Sequence, residues 1–307
     1  MRGRGTRILV GTAAGLYEVP AGNGPAFAGR EVTALARDDA GCWAIVGEGE
    51  IWHLGAGGEW AAVAQVPRPY QRATCLLPTP MGLLVGTEGA HLLSLLEGRL
   101  QLVETFEAVE GRESWYTPWG GPPDTRSLAL GPDGAVYVNV HVGGVLRSRD
   151  GGRSWRPTID IHADVHQVVA HPRAAGLVLA ASARGLAVSQ DGGQRWQFLK
   201  EGLHGQYLRA VAVTEDDTVL VTASTGPYTQ RAAVYRRPLA GEGPFQKCDS
   251  GLPEWFGDNI DTYCLATAGP LTAFGTVEGE VFLSADGGRR WETAASGLPR
   301  VCCLLID

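Results

Sequence analysis

Apolar and polar residues alternate along this chain in short runs, and glycine or a polar turn interrupts them every few positions. Runs of this length with period two, bounded by turn residues, predict β strands rather than helices. Seven strand–turn–strand units follow one another: ILVGTAAGLYEV from Ile8, AIVGEGEIWHL from Ala44, LLVGTEGAHLL from Leu83, VYVNVHVGGVLRS from Val136, LVLAASARGLAVS from Leu177, VLVTASTGPYTQRAAVYR from Val219 and LTAFGTVEGEVFLS from Leu271. Seven further strands of small and aliphatic residues alternate with them: VTALA from Val32, ATCLL from Ala73, RSLAL from Arg126, HQVVA from His166, RAVAV from Arg209, YCLAT from Tyr263 and VCCLL from Val301. Their spacing of about 40 to 54 residues suits one four-stranded repeat.

Three repeats carry the same phrase, Ser-x-Asp-Gly-Gly-x-x-Trp: SRDGGRSW from Ser148, SQDGGQRW from Ser189 and SADGGRRW from Ser284. Such a phrase suits a tight turn between two strands. Asp150, Asp191 and Asp286 can turn their carboxylates back onto backbone N–H groups, the paired glycines admit positive φ, and the tryptophan anchors the loop. The phrase resembles the Asp-box, or BNR repeat, found in sialidases, sortilin-type domains, xyloglucanase-like glycosidases and photosystem II assembly-factor-like propellers. The resemblance implies a β-propeller with the boxes on the face opposite any active site, and the seven units and seven inner strands counted above make it an all-β, seven-bladed β-propeller of four-stranded antiparallel blades. The first strand–turn–strand unit has no inner strand before it, and VCCLLID has no unit after it. The C-terminal strand is therefore expected to join the N-terminal strands in one shared blade, from residues near 7–27 and 301–306, which removes exposed sheet edges. The whole of 1–307 is read as a single propeller domain.

Composition narrows the class. With 43 glycines, 18 prolines and 19% charged residues, the chain favours tight turns over long helices. A net charge of −7 argues against a nucleic-acid-binding surface. No apolar run is long enough for a membrane span, and the N-terminus has no signal-peptide core, so a soluble, cytoplasmic protein is expected. Cys42, Cys75, Cys248, Cys264, Cys302 and Cys303 lack metal-ligand spacing and suit small, reduced, buried residues. The sequence requires no cofactor.

Candidate chemistry gathers at the starts of the inner strands. These read Tyr70-x-Arg72, Asp124-x-Arg126, Asp164-x-His166, Tyr207-x-Arg209 and Asp261-x-Tyr263, and period two would put both members of each pair on one side. On the propeller expectation they would ring the channel mouth, joined from adjoining loops by Glu88, Asn139, His141, Arg184, Tyr228 and Glu278. An insertion rich in Trp, Tyr, Pro and Gly, which includes Trp115, Tyr116 and Trp119 and leads into Asp124, would wall or cover it. Arg72, Arg126 and Arg209 can clamp a carboxylate, sulfate or phosphate. Asp124, Asp164 and Asp261 can serve as acid and base. His141, His162 and His166 near Asp164 can bind a divalent metal, since neighbours two apart on a strand converge on one ion. The same polar residues also suit inter-blade salt bridges.

Two classes of function follow. One is binding, with or without turnover, of a small polar or anionic molecule at the mouth. The other is a non-catalytic scaffold for a protein partner. The Phe/Tyr-Arg-Ile-Pro phrase of sialidases is missing, and no clear Tyr–Glu nucleophile pair occurs. Xyloglucanase-like enzymes pair two propellers where this chain predicts one.

Overall fold

The computed structural model of the chain describes residues 7–22 and 24–307. The first six residues, read above for a leader, and Asn23 in the shared blade lie outside the described residues. The strands form seven antiparallel sheets, and the fold is a seven-bladed β-propeller. Six blades have four strands each. They begin with Val32–Asp38, Ala73–Thr79, Thr125–Leu130, Val165–Ala170, Tyr207–Val213 and Leu265–Ala268, and are numbered one to six in that order. The YCLAT strand starts at Leu265, two residues later than its sequence suggests, because Tyr263 takes a left-handed φ of 64° that no strand accommodates.

The seventh blade is the shared one, with strand order Gly15–Val19, Ile8–Thr12, Val301–Ile306. Ile8 lies opposite Ile306 and Gly11 opposite Cys303, so the chain's two ends meet in one sheet as expected. Gly11 suits this approach: a Cβ there would stand 2.7 Å from the Val32 carbonyl oxygen. The expected fourth strand is reduced to a single bridge between Leu16 and Ala26. Its segment, rich in Pro and Gly, cannot sustain a ladder.

By contact the chain divides into two compact units, Met1–Thr33 with Glu201–Asp307, and Ala34–Lys200. The core of the first gathers Ile8, Val10, Phe274, Phe282, Trp291 and Leu304. The second holds one cluster around Ile45, Val85 and Leu93 and another around Tyr137, Val168 and Ala180. Middle strands such as Val136–Val140 and Val178–Ser182 are buried on both faces, whereas outer strands such as Arg156–Pro157 are exposed. Five cysteines are buried as expected. Cys302 is half-buried, because it is the extra residue where Val301–Ile306 slips register against Ile8–Thr12.

That slip recurs. Inner strands of the second, third and fourth blades bulge at Thr74, Arg126 and His166, and that of the fifth slips between Leu208 and Val211. A bulge bends the strand and re-aims the extra side chain. Simple period-two projection is therefore interrupted at the positions where the sequence placed its candidate site.

The three repeated phrases fold alike. Ser148, Ser189 and Ser284 each donate from Oγ to the aspartate two residues on (2.8–2.9 Å) and accept from the second glycine N–H. The aspartates accept backbone N–H groups of the next turn, and all six glycines have φ between 69° and 89°. Trp155 and Trp291 are buried as predicted, while Trp196 is half-buried and donates to the Thr158 carbonyl. The two Ser154 hydrogen bonds, with Ser148, hold the Asp150 carboxyl down at about 2 from an ordinary 3.8. Because the folded value is depressed, this contribution is complete above the unfolded value and fades as pH falls toward 2. Asp150→Ala is expected to lower Tm by a few degrees near neutral pH, with the gap to wild type closing between pH 4 and 2; thermal melts across that range check it.

Candidate functional site

The densest cluster of chemistry lies where the third and fourth blades adjoin, within the unit Ala34–Lys200. His141 follows directly on the strand Val136–Val140, and its N–H donates to the Asp124 carbonyl at 2.9 Å. His166 is the bulged residue of its strand, wholly buried. Asp164 ends the 3-10 turn Ile161–Ala163 with φ of 51°. Its N–H donates to Ile161 and its carbonyl accepts from Ala183, so the left-handed backbone is held from both sides. A non-glycine residue in that conformation is costly, and such strain collects at functional sites. The result is convergence: Asp164 Oδ1 stands 3.2 Å from His141 Nε2 and 3.6 Å from His166 Nε2. His141 is 3% exposed and Asp164 25% exposed at the side chain, so solvent reaches the cluster from the carboxylate side.

The surroundings split the carboxylates. Burial would raise Asp164, but the two imidazoles beside it outweigh that and hold its carboxyl far below the usual carboxylate range. Asp124 moves the other way: burial raises it, and His141 and Arg126 only partly offset the rise. Glu88, bridged to Asp124 in the backbone, is raised by burial and then by repulsion from Asp124, with Arg72 opposing. Neighbouring carboxylates with values pushed apart are a common basis of acid–base division.

The aromatic insertion covers this cluster in part. Trp119 stands with its ring centroid 5.1 Å from that of His141 and is 67% exposed. Trp115 turns inward instead, against Phe106 at 6.0 Å and the Arg112 guanidinium at 4.8 Å. A strut that the sequence reading missed fixes the insertion's base: Glu107 accepts from Arg112 at 2.8 Å and contacts His91 Nδ1 at 3.0 Å. Its three members are spread over 22 residues with no recognisable spacing, so only the fold unites them.

Other candidates lie elsewhere. His162 is exposed and faces Tyr116, with Tyr116 Oη 3.4 Å from its Nδ1, so it does not join the His141 cluster. Asn139 is buried in its strand and donates to the Val165 carbonyl, tying the third blade to the fourth. Arg184 lies over the Phe198 ring. In the unit Met1–Thr33 with Glu201–Asp307, Arg209 pairs with Asp261 through Nε–Oδ1 and Nη2–Oδ2 contacts of 3.2 Å and lies over the Tyr207 ring. Arg209 and Asp261 thus form an ion pair, as the salt-bridge alternative foresaw. Tyr263 is drawn out of its expected strand, its carbonyl accepting from Leu304. Tyr228 is 96% exposed and Glu278 is exposed. A surface cleft lined by Thr214, Asp216, Pro270 and Arg289 includes Asp286 of the third repeated phrase, whose carboxylate is already taken up by its turn.

No protein-family model and no curated protein matches the chain. Solved structures match by fold. The GH74 enzyme of Niastella koreensis aligns over 93% of this chain with a TM-score of 0.62 at 16% identity; the chain spans 46% of that enzyme's length. A catalytically inactive virginiamycin B lyase of Staphylococcus aureus, with quinupristin, aligns over 88% of each chain with a TM-score of 0.64 at 12% identity. YCF48 bound to a D1 peptide aligns over 97% of this chain and 86% of its own, with a TM-score of 0.58 at 13% identity. At these identities the likeness establishes the propeller fold and leaves function to the site. Among the described residues, no helix is long and apolar enough to cross a membrane.

Proposed function

We propose that this chain is a single-domain Asp-box propeller that binds a small polar molecule at the His141–Asp164–His166 cluster. Asp124 and Arg126 flank the ligand and Trp119 forms its apolar wall. The observation that carries the reading is the convergence of two buried imidazoles and one carboxylate beneath a solvent-exposed indole. Polar groups meeting beside an aromatic wall are what small-molecule sites are made of. The recurrent Ser-Asp hydrogen-bond set supports the Asp-box assignment. It also keeps the box away from the site within a blade: Asp150 follows one end of the strand Gly144–Ser148 and His141 precedes the other. Acid–base turnover would fall to Asp124, whose carboxyl is raised, with Asp164 ionised opposite.

A thermal-shift screen of sugars, hydroxy acids and small phosphates tests the reading. A true ligand at 100 times its Kd adds about 2.7 kcal/mol of stability. Its shift should vanish in Asp124→Asn and Trp119→Ala while both variants keep the wild-type melt without ligand. A shift that persists in both variants sinks the site assignment.

One observation favours a second reading. Tyr116 and Trp119 are both exposed, at 43% and 67%, in one insertion. Paired exposed aromatics can dock a peptide, and the YCF48 structure holds one. Replacing both by serine distinguishes the readings: loss of a protein partner with small-molecule shifts intact would favour the scaffold.

A further inference from the structure

We infer that His141, Asp164 and His166 together hold one divalent transition-metal ion, zinc being the best match, through His141 Nε2, His166 Nε2 and Asp164 Oδ1. The inference rests on the reading of this cluster as a binding site and names what the ligand would first meet there. The geometry comes first. The three ligand atoms lie within 4.8 Å of one another, with two separations of 3.2 and 3.6 Å. Bonds of about 2.0–2.1 Å in a tetrahedron place neighbouring ligand atoms about 3.3–3.4 Å apart. Two of the three separations already have nearly that spacing.

The donors select the ion. Two imidazoles and one carboxylate suit zinc and its first-row neighbours, whereas magnesium and calcium ask for oxygen shells. Asp164 Oδ1 supplies an independent sign. It is buried and, among the described residues, accepts no hydrogen bond of good geometry although two ring nitrogens stand close by. The ring nitrogens attract the carboxylate at this range without closing a well-formed hydrogen bond, and a cation between the three atoms would bind all three. The wider charge agrees. Around the imidazoles, the carboxylates Asp164 and Asp124 outnumber the single guanidinium of Arg126, so the local field favours a cation over an anion.

Preorganisation completes the case. The bulge aims His166, the left-handed turn aims Asp164, and the Asp124 carbonyl holds the His141 backbone, so little ordering is left to the ion. Three protein ligands, two of them buried and the third reaching solvent, leave a fourth position open on the exposed side. A polar ligand would enter there and offer an oxygen or nitrogen to the metal.

Full-length protein, stripped with a chelator and dialysed against zinc, should retain one equivalent by elemental analysis and melt at higher temperature. Asp164→Asn and His141→Gln should each weaken zinc by about 100-fold or more, beyond the 10–100-fold typical of residues behind the ligands. His162→Ala should change nothing. Cobalt added to the unaltered protein needs no variant to fold: intense visible bands of a four- or five-coordinate ion are expected. Zinc failing to bind at micromolar concentration, full retention in both ligand variants, or a cobalt spectrum like that of the aqueous ion each overturns the inference. Small-molecule shifts that survive chelation while zinc does not bind would refute the metal and spare the pocket. Zinc bound with no small-molecule shift from any compound would uphold the metal and refute the pocket.

Discussion

Deleting residues 301–307 is expected to abolish cooperative folding. The strand Val301–Ile306 forms the edge partner of Ile8–Thr12 and buries Val301, Leu304 and Ile306 in the core that also holds Phe274 and Trp291. Each such side chain contributes about 1.5–3 kcal/mol on burial. Together they rival the total stability of about 5–15 kcal/mol typical of a domain. The deletion also strips one edge of Ile8–Thr12 of its hydrogen bonds, leaving an open template for aggregation. Circular dichroism and size-exclusion chromatography of the truncated chain read the result. A melt coinciding with that of the full chain would mean that the shared seventh blade is not what holds these ends.

Phe106→Ala is expected to cost about 3–5 kcal/mol, the usual range for emptying a buried phenylalanine. Phe106 is fully buried although it sits in the insertion, and it meets Trp155 edge-on at 5.4 Å and Trp115 at 6.0 Å. It thus fastens the insertion to the tryptophan of the first repeated phrase. The loss should appear twice: as a lower Tm, and as faster hydrogen exchange across residues 104–121 than across the strand Val136–Val140. Since Trp119 rides on this insertion, small-molecule binding at the His141 cluster should weaken too. Loss of stability with unchanged exchange in the insertion would show that Phe106 serves the blade core alone. Glu107→Gln offers a milder comparison, since it loosens the strut to Arg112 and His91 while leaving the ring in place.

The candidate site was only partly legible beforehand. Asp164 and His166 are two apart, and that spacing points to convergence in any extended segment. His141 comes from another blade, so its arrival opposite them depends on how two sheets pack. Two of the projected pairs do meet on one side, Asp164 with His166 and Tyr207 with Arg209, although bulges at Arg126 and His166 and left-handed turns at Asp164 and Tyr263 interrupt the regular alternation there. A bulge adds one residue without any obligatory residue type, so a single sequence does not announce it.

The sequence by itself determined the repeat: seven strand–turn–strand units, the shared blade and the three Asp-Gly-Gly turns. Those features rest on local alternation, glycine conformations and side-chain-to-backbone hydrogen bonds, which act over a few residues and leave a mark at fixed offsets. Only the tertiary structure decided which polar residues meet. It paired Arg209 with Asp261 across 52 residues, turned Trp115 inward and Trp119 outward, and set His141 against Asp164 and His166. Such meetings depend on inter-blade packing and on the direction of single side chains. The energy of each pair belongs to a contact distant in sequence, so no local pattern encodes it.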